Sequence, residues 1–201
     1  MMKQSDIEYN EKERGFSLIE LIGVLAIIAV LGSIAAPRIF KTIEDSKAST
    51  VVENIHNLKT TVAQFYKDTG RQPYQYSDLT SGGYVKYHQL TNNKAKIKGW
   101  NGPYLESELD NPFKGVARIY GYNGNAFDMD GDGTDDVKGV TLYYINNVPY
   151  RQAKAISDAI DHDGDKTGAA AWYTGGTVRT YNRKEPAETG TTTLYILLAS
   201  F

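Results

Sequence analysis

The sequence predicts an α+β protein in which one long N-terminal helix, membrane-spanning in its first half, packs on a small antiparallel-sheet head. Three observations carry this prediction. From Phe16 to Pro37 the chain reads FSLIELIGVLAIIAVLGSIAAP, 22 residues in which Glu20 is the only charge. Beyond Pro37, Ile39, Ile43, Val51, Val52, Ile55, Leu58, Val62, Phe65 and Tyr66 recur mostly at three- and four-residue spacing, which is a helical stripe. Further on come runs rich in β-branched and aromatic residues at Val116–Tyr122, Val140–Ile145 and Thr192–Leu198, which read as strands.

Met1 to Gly15 forms a polar leader with Lys3, Lys12 and Arg14 among Asp6, Glu8, Glu11 and Glu13. Basic residues beside an apolar run favour keeping that end in the cytoplasm and translocating the rest. As a helix, Phe16–Pro37 is roughly 33 Å long, enough to cross a bilayer core. A cleaved secretory signal ending at Ser33-Ile34-Ala35 fits the small residues there, but not Glu20 inside the apolar region. A plain anchor fits the length, yet an ionisable group in hydrocarbon costs about 2.5–3.5 kcal/mol even on lenient scales. Such a group usually has a partner.

Composition bounds the function. The chain has 201 residues, 41% hydrophobic and 23% charged, which suits one folded domain with a modest extra segment. With 22 basic against 24 acidic residues, it lacks the electrostatic footprint of a nucleic-acid binder. Cysteine is absent, and His56, His88 and His162 stand far apart, so thiolate and zinc chemistry are not expected. No G-x-S-x-G, P-loop or G-x-G-x-x-G run occurs. Catalysis by the chain itself is not expected.

Arg14-Gly15-Phe16-Ser17-Leu18-Ile19-Glu20-Leu21-Ile22 closely resembles the N-terminal signature of type IV pilins and of their type II secretion relatives, the pseudopilins. The resemblance implies that a prepilin peptidase cuts between Gly15 and Phe16 and methylates the new amino group of Phe16. It makes Glu20 the fifth mature residue, where family members place their carboxylate. It also gives the carboxylate a partner: in a bundle of such helices, the ammonium of one subunit meets Glu20 of its neighbour, and a paired charge is tolerated where a lone one is penalised. The pair would act as a register device for assembly.

The expected domains follow: leader 1–15, transmembrane and filament-core helix 16–37, amphipathic second half 38–70, and β-rich head 71–201. Pro37 removes one backbone hydrogen bond and is expected to kink the helix, the alternative being that it ends one helix before another begins. Gly70 fits a C-cap. In the head, Arg151–Ile160 after Pro149 reads as a short helix with Ala153, Ile156 and Ile160 on one face. Gly99-Trp100-Asn101-Gly102-Pro103-Tyr104-Leu105 followed by Asn111-Pro112-Phe113 is similar to a segment of major pseudopilins, whereas Asp158–Asp165 with Thr167-Gly168 is similar to a loop of some bacterial type IV pilins.

The richest chemistry in the head lies in Asp128-Met129-Asp130-Gly131-Asp132-Gly133-Thr134-Asp135-Asp136. Acids at alternate positions, then Gly at the sixth, gather carboxylate oxygens as hard Ca²⁺ requires. Asp128, Asp130, Asp132 and Asp136 are the expected ligands. The twelfth position is Gly139 and not Glu, so this is not a full EF-hand loop. An Asp/Gly turn needing no metal is the alternative. Asp161, Asp163 and Asp165 form a weaker second candidate, with Lys166 where Gly belongs. Tyr120, Tyr122, Tyr143, Tyr144 and Tyr195 suit sheet packing, while Tyr74, Tyr76, Tyr84 and Tyr87 are candidates for subunit contacts.

The function expected is a type IV pilus subunit, held in the bacterial inner membrane as a single-pass chain with a cytoplasmic N-terminus, then polymerised outside it. Its expected partners are identical or related subunits, prepilin peptidase, the inner-membrane assembly machinery and membrane lipid. A pseudopilin of a type II secretion system is the alternative on the same fold, ending in a periplasmic pseudopilus in place of an extracellular pilus. A secreted calcium-binding or adhesive module with an ordinary signal peptide is the alternative from another class.

Overall fold

Helix α1 runs from Leu18 to Thr69, 52 residues, in a computed structural model that describes residues 15–73, 89–107, 110–161 and 171–200. The expectations for the leader before Gly15, for Tyr74, Tyr76, Tyr84 and Tyr87, and for Asp163 and Asp165 lie outside these residues. Ser17 starts α1 as its N-cap, its Oγ accepting from the Ile19 N–H at 3.4 Å while its carbonyl accepts from Leu21 at 3.1 Å. Gly70 ends it at φ 67°, donating its N–H to the Tyr66 carbonyl at 2.8 Å, which is the expected C-cap. The helix continues through Pro37, so the two-helix alternative does not hold. Pro37 has no N–H for the Ser33 carbonyl, and one backbone bond is lost there.

The chain divides into two compact units, Met1–Thr42 and Ile43–Phe201. In the first, every described residue is exposed, including Leu18, Ile22, Leu25, Ile28 and Leu31. This segment holds a window of mean hydropathy 2.6, and α1 is long and apolar enough by composition to cross a membrane. In the second unit the stripe closes onto a core. Ala48, Val51, Ile55, Leu58, Val62 and Phe65 are buried, each at three or four residues from the last. Burying such side chains is worth about 1.5–3 kcal/mol apiece for the larger ones. Ala48 also belongs to the stripe that the spacing picked out.

Four strands complete this unit: β1 (Ala117–Phe127), β2 (Val137–Pro149), β3 (Val178–Thr180) and β4 (Thr191–Ser200). They form one sheet in the order β1-β2-β4-β3, antiparallel at each pairing. Period-two alternation gives β2 two faces. Tyr143 and Ile145 join the core with α1, whereas Val140 and Leu142 pack with Ala126, Phe127 and Leu197 in a second cluster. After Pro149 the chain turns into α2 (Tyr150–Asp161), which buries Gln152, Ala153, Ile156 and Ser157. The Gln152 amide donates to Glu44 Oε2 of α1 at 3.3 Å, and Ser157 Oγ donates to the Trp172 carbonyl at 3.2 Å. The predicted strands and short helix are all present, each longer than expected. β3 is an addition.

Candidate functional site

Two places carry the residues singled out for function, and the first is the start of α1. Phe16 is 88% exposed, and a Cβ added at Gly15 would meet no atom within 4 Å. Nothing among the described residues crowds the Gly15–Phe16 bond. Glu20 is not a lone carboxylate: its Oε2 accepts from the Ser17 N–H at 2.8 Å. With Ser17 capping the helix in return, Ser17 and Glu20 form a reciprocal capping box that satisfies two orphan N–H groups. An acid in the first turn also complements the positive end of the helix dipole. The Ser-x-x-Glu spacing that marks such a box is present at Ser17–Glu20 in the sequence.

The second place is the turn joining β1 to β2. Asp128 is buried, and its two oxygens accept from the N–H groups of Gly131 (2.7 Å) and Gly133 (2.8 Å). Asp130 Oδ1 accepts from Asp132 at 3.1 Å, Asp132 Oδ1 from Thr134 at 2.7 Å, and Asp136 Oδ2 from Met129 at 2.7 Å. The turn therefore ties itself together with Asx-type bonds. Gly131 and Gly133 take φ of 79° and 92°, a region that side-chain-bearing residues rarely adopt. Asp128, Asp130 and Asp136 each bring an oxygen within 4.8 Å of the others. Asp132, the fourth expected ligand, does not belong to this group of three; its Oδ1 accepts from the Thr134 N–H. Each carboxylate keeps lone pairs beyond its backbone bond, so the trio fits a hard cation bound through oxygen.

The second acidic candidate behaves differently. Asp161 Oδ2 accepts from the Val178 N–H at 2.8 Å and Oδ1 from the Thr177 hydroxyl. Its oxygens thus fasten the end of α2 to the first residue of β3 and to the residue before it.

Residues that sequence reasoning passed over hold the acidic turn in place. Arg183 Nη2 pairs with Asp135 and donates to the Ala126 carbonyl at 3.1 Å, while Arg179 Nε donates to that same carbonyl at 2.8 Å. The Arg179 guanidinium lies 5.2 Å from the Phe127 ring centre and 5.0 Å from that of Tyr195. Burial, with Arg183 next, pushes its pKa below the usual guanidinium value. The Gly176 N–H donates to the Asp128 carbonyl at 2.7 Å. Asp135 thus has a cation partner in Arg183.

The Trp100–Leu105 segment seals the far end of α1. Tyr104 stacks edge-on against Phe65 and Trp100, its hydroxyl donating to Asp68 Oδ2 at 2.9 Å. Trp100 Nε1 donates to the Gln89 carbonyl at 2.7 Å. Gly99, at φ 81°, lies so close that an added Cβ would stand 2.2 Å from the Asp68 carbonyl oxygen. Asn111 and Asn147 then bind the Asn111–Phe113 turn to the end of β2, through bonds to the Asn146 and Phe113 carbonyls.

Comparison with known proteins agrees with this architecture. Residues 11–36 match the prokaryotic N-terminal methylation motif, and residues 38–148 match type II secretion system protein G. The type II secretion system core protein G of Xanthomonas campestris pv. campestris is 29% identical over 136 residues, 65% of this chain and 85% of that protein. The type IV major pilin protein PilA of Myxococcus xanthus is 38% identical over 73 residues, 36% of this chain, and this chain spans 31% of its length. No solved structure matches. These families comprise structural subunits that assemble into filaments with related subunits. The protein G match takes in more than half of the residues, and the chain belongs to the type II secretion system protein G family within the pilin and pseudopilin class.

Proposed function

We propose that this chain is a pseudopilin-type filament subunit, anchored in the inner membrane by the first half of α1 and polymerised through it. The observation that carries the reading is the likeness to a core protein G over 85% of that protein's length, joined to an apolar first unit with no buried face of its own. Prepilin peptidase would cut between Gly15 and Phe16 and methylate Phe16. Lys3, Lys12 and Arg14 would hold the leader in the cytoplasm. Glu20 would then receive the terminal ammonium of a neighbouring subunit. A type IV pilus is the second reading, favoured by the 38% identity to PilA over 73 residues.

Mass spectrometry of the mature N-terminus tests processing, with methyl-Phe16 as the expected first residue. An N-terminus near Ala36 would support an ordinary signal peptide instead. Filaments of length visible on the cell surface would favour the pilus, and their absence together with a defect in protein secretion would favour the pseudopilus.

The acidic turn is proposed as a calcium site, with Asp128, Asp130 and Asp136 as carboxylate ligands. The carriers of this reading are their convergence within 4.8 Å and the mutual repulsion of neighbouring acids. A cation bound only by the folded protein stabilises it by RT ln(1 + [L]/Kd), about 0.4–1.4 kcal/mol at 1 mM for sites of ~10⁻⁴–10⁻³ M. The head is expected to melt higher in calcium than in chelator, and magnesium to do less. Identical curves would leave a metal-free Asp/Gly turn.

A further inference from the structure

We propose that a groove between α1 and α2 receives the lysine-rich turn at Lys94–Lys98 of a second copy of this chain, an assignment that rests on the filament-subunit reading. The groove holds about 500 Å³ and is floored by Ala48 on α1 and by Ala155 and Ala159 on α2, with Val52 along its wall. Asp45 and Glu53 line it as well. Both acids are exposed, and neither forms an ion pair among the described residues. Ala155 and Ala159, one helical turn apart, leave an apolar strip open to solvent.

The turn has the complementary chemistry. Lys94, Ala95, Lys96 and Lys98 are exposed, whereas Ile97 is buried in the core and anchors the turn. Asn93 braces it from within: its Oδ1 accepts from the Ile97 N–H at 2.6 Å and its carbonyl from the Lys96 N–H at 3.0 Å. Lys96 sits at φ 51°, as a tight turn demands. The Lys96 and Lys98 side chains thus start from a braced backbone, which lowers the entropy lost on docking.

The turn cannot fill its own groove. Gly99 fixes the turn against Asp68, close to the end of α1. From Glu53 to Asp68 the helix rises about 22 Å, and from Asp45 about 35 Å, beyond the reach of a lysine side chain. The two opposite charges therefore pair between copies. Because the two patches differ, the contact is heterologous, and a heterologous contact that does not close into a ring propagates as an open helical polymer.

Charge reversal in the full-length chain tests this. Lys96→Glu with Lys98→Glu, and separately Asp45→Lys with Glu53→Lys, are each expected to lower filament yield about tenfold, since like charges then face each other. Combining all four is expected to recover most of it. As the chain has no cysteine of its own, Lys96→Cys with Ala159→Cys and a short thiol cross-linker should give a ladder of multimers in assembled material, which neither single variant gives. The assignment is overturned by reversals that leave assembly unchanged, by a combination no better than its parents, or by a groove cysteine that captures another protein in place of a second copy. Glu20→Leu, run alongside, separates the two readings. If wild-type filaments form and depend on Glu20 yet ignore the reversals, the groove assignment alone falls. If the wild-type chain forms no multimer at all, the filament-subunit reading falls with it.

Discussion

Tyr143 lies in the middle of β2, fully buried, and its hydroxyl has no hydrogen-bond partner among the described residues. Such a group loses its water on folding and gains nothing in return, at a cost of about 1–3 kcal/mol. Tyr143→Phe keeps the ring that fills the core and removes one oxygen. The variant is therefore expected to be more stable at pH 7, by about 1–2 kcal/mol, worth roughly 2–4 °C in Tm per kcal/mol for a domain of this size. Alkaline pH supplies a second reading. Burial pushes the Tyr143 pKa well above its ordinary value. Below pH ~10 both states keep the proton and pH has no effect through this group. Above that, the unfolded chain ionises while the folded one does not, so stability falls as pH rises, by up to about 1.4 kcal/mol per pH unit. Burial also raises Tyr104 and Tyr150, so the variant will keep part of this slope. The assay is urea unfolding of the Ile43–Phe201 unit at pH 7 and near pH 10.5. A variant less stable than wild type at pH 7, with a parallel alkaline decline, would refute the reasoning.

Gly15→Val is expected to leave the leader attached, because a branched side chain obstructs close approach to the backbone at the cut; a mature mass that still drops by Met1–Gly15 would contradict the proposed processing. Asp130→Asn with Asp136→Asn should abolish any melting response to calcium and relieve repulsion in its absence, which a calcium titration of Tm reads directly. Gly99→Ala is expected to destabilise by at least about 1–3 kcal/mol, since it adds a backbone clash to a φ of 81°. Gly133→Ala, at φ 92° but with open space around the new carbon, should cost less, and equal losses would mean that contact with Asp68 is unimportant.

What could be read from the sequence was whatever local periodicity encodes. The α1 stripe, the Gly70 cap, α2 behind Pro149 and the three long strands all declare themselves within windows of ten or so residues. β3 has only three residues, below the length at which alternation is visible, and exists because β4 offers it an edge. Arg179 and Arg183 reach Ala126 across more than fifty positions, so no local pattern announces them. In the acidic turn the alternation of acids was plain, but spacing could not say which carboxylates would converge. Spacing groups Asp132 with the others, whereas among the described residues only Asp128, Asp130 and Asp136 bring oxygens within 4.8 Å of one another. Asp161 bonds to Thr177 and Val178, a partnership across sixteen positions or more that no local spacing announces.

Glu20 joins both kinds of information, and one substitution separates its two roles. As N3 of a capping box it accepts from the Ser17 N–H, a task that Gln performs as well as Glu. As the proposed acceptor for a neighbour's terminal ammonium it must carry charge, which Gln does not. Glu20→Leu removes both roles at once and cannot tell them apart. Glu20→Gln keeps the cap, worth roughly 1 kcal/mol, and loses only the charge. If the carboxylate is there for the neighbour, Glu20→Gln will be processed at Gly15, remain in the membrane and assemble as poorly as Glu20→Leu. If it is there for the helix start, Glu20→Gln will assemble like wild type and only Glu20→Leu will fail. Filament yield measured side by side for the two variants decides the matter, and wild-type assembly of Glu20→Gln would remove the ion pair from the account of how subunits register.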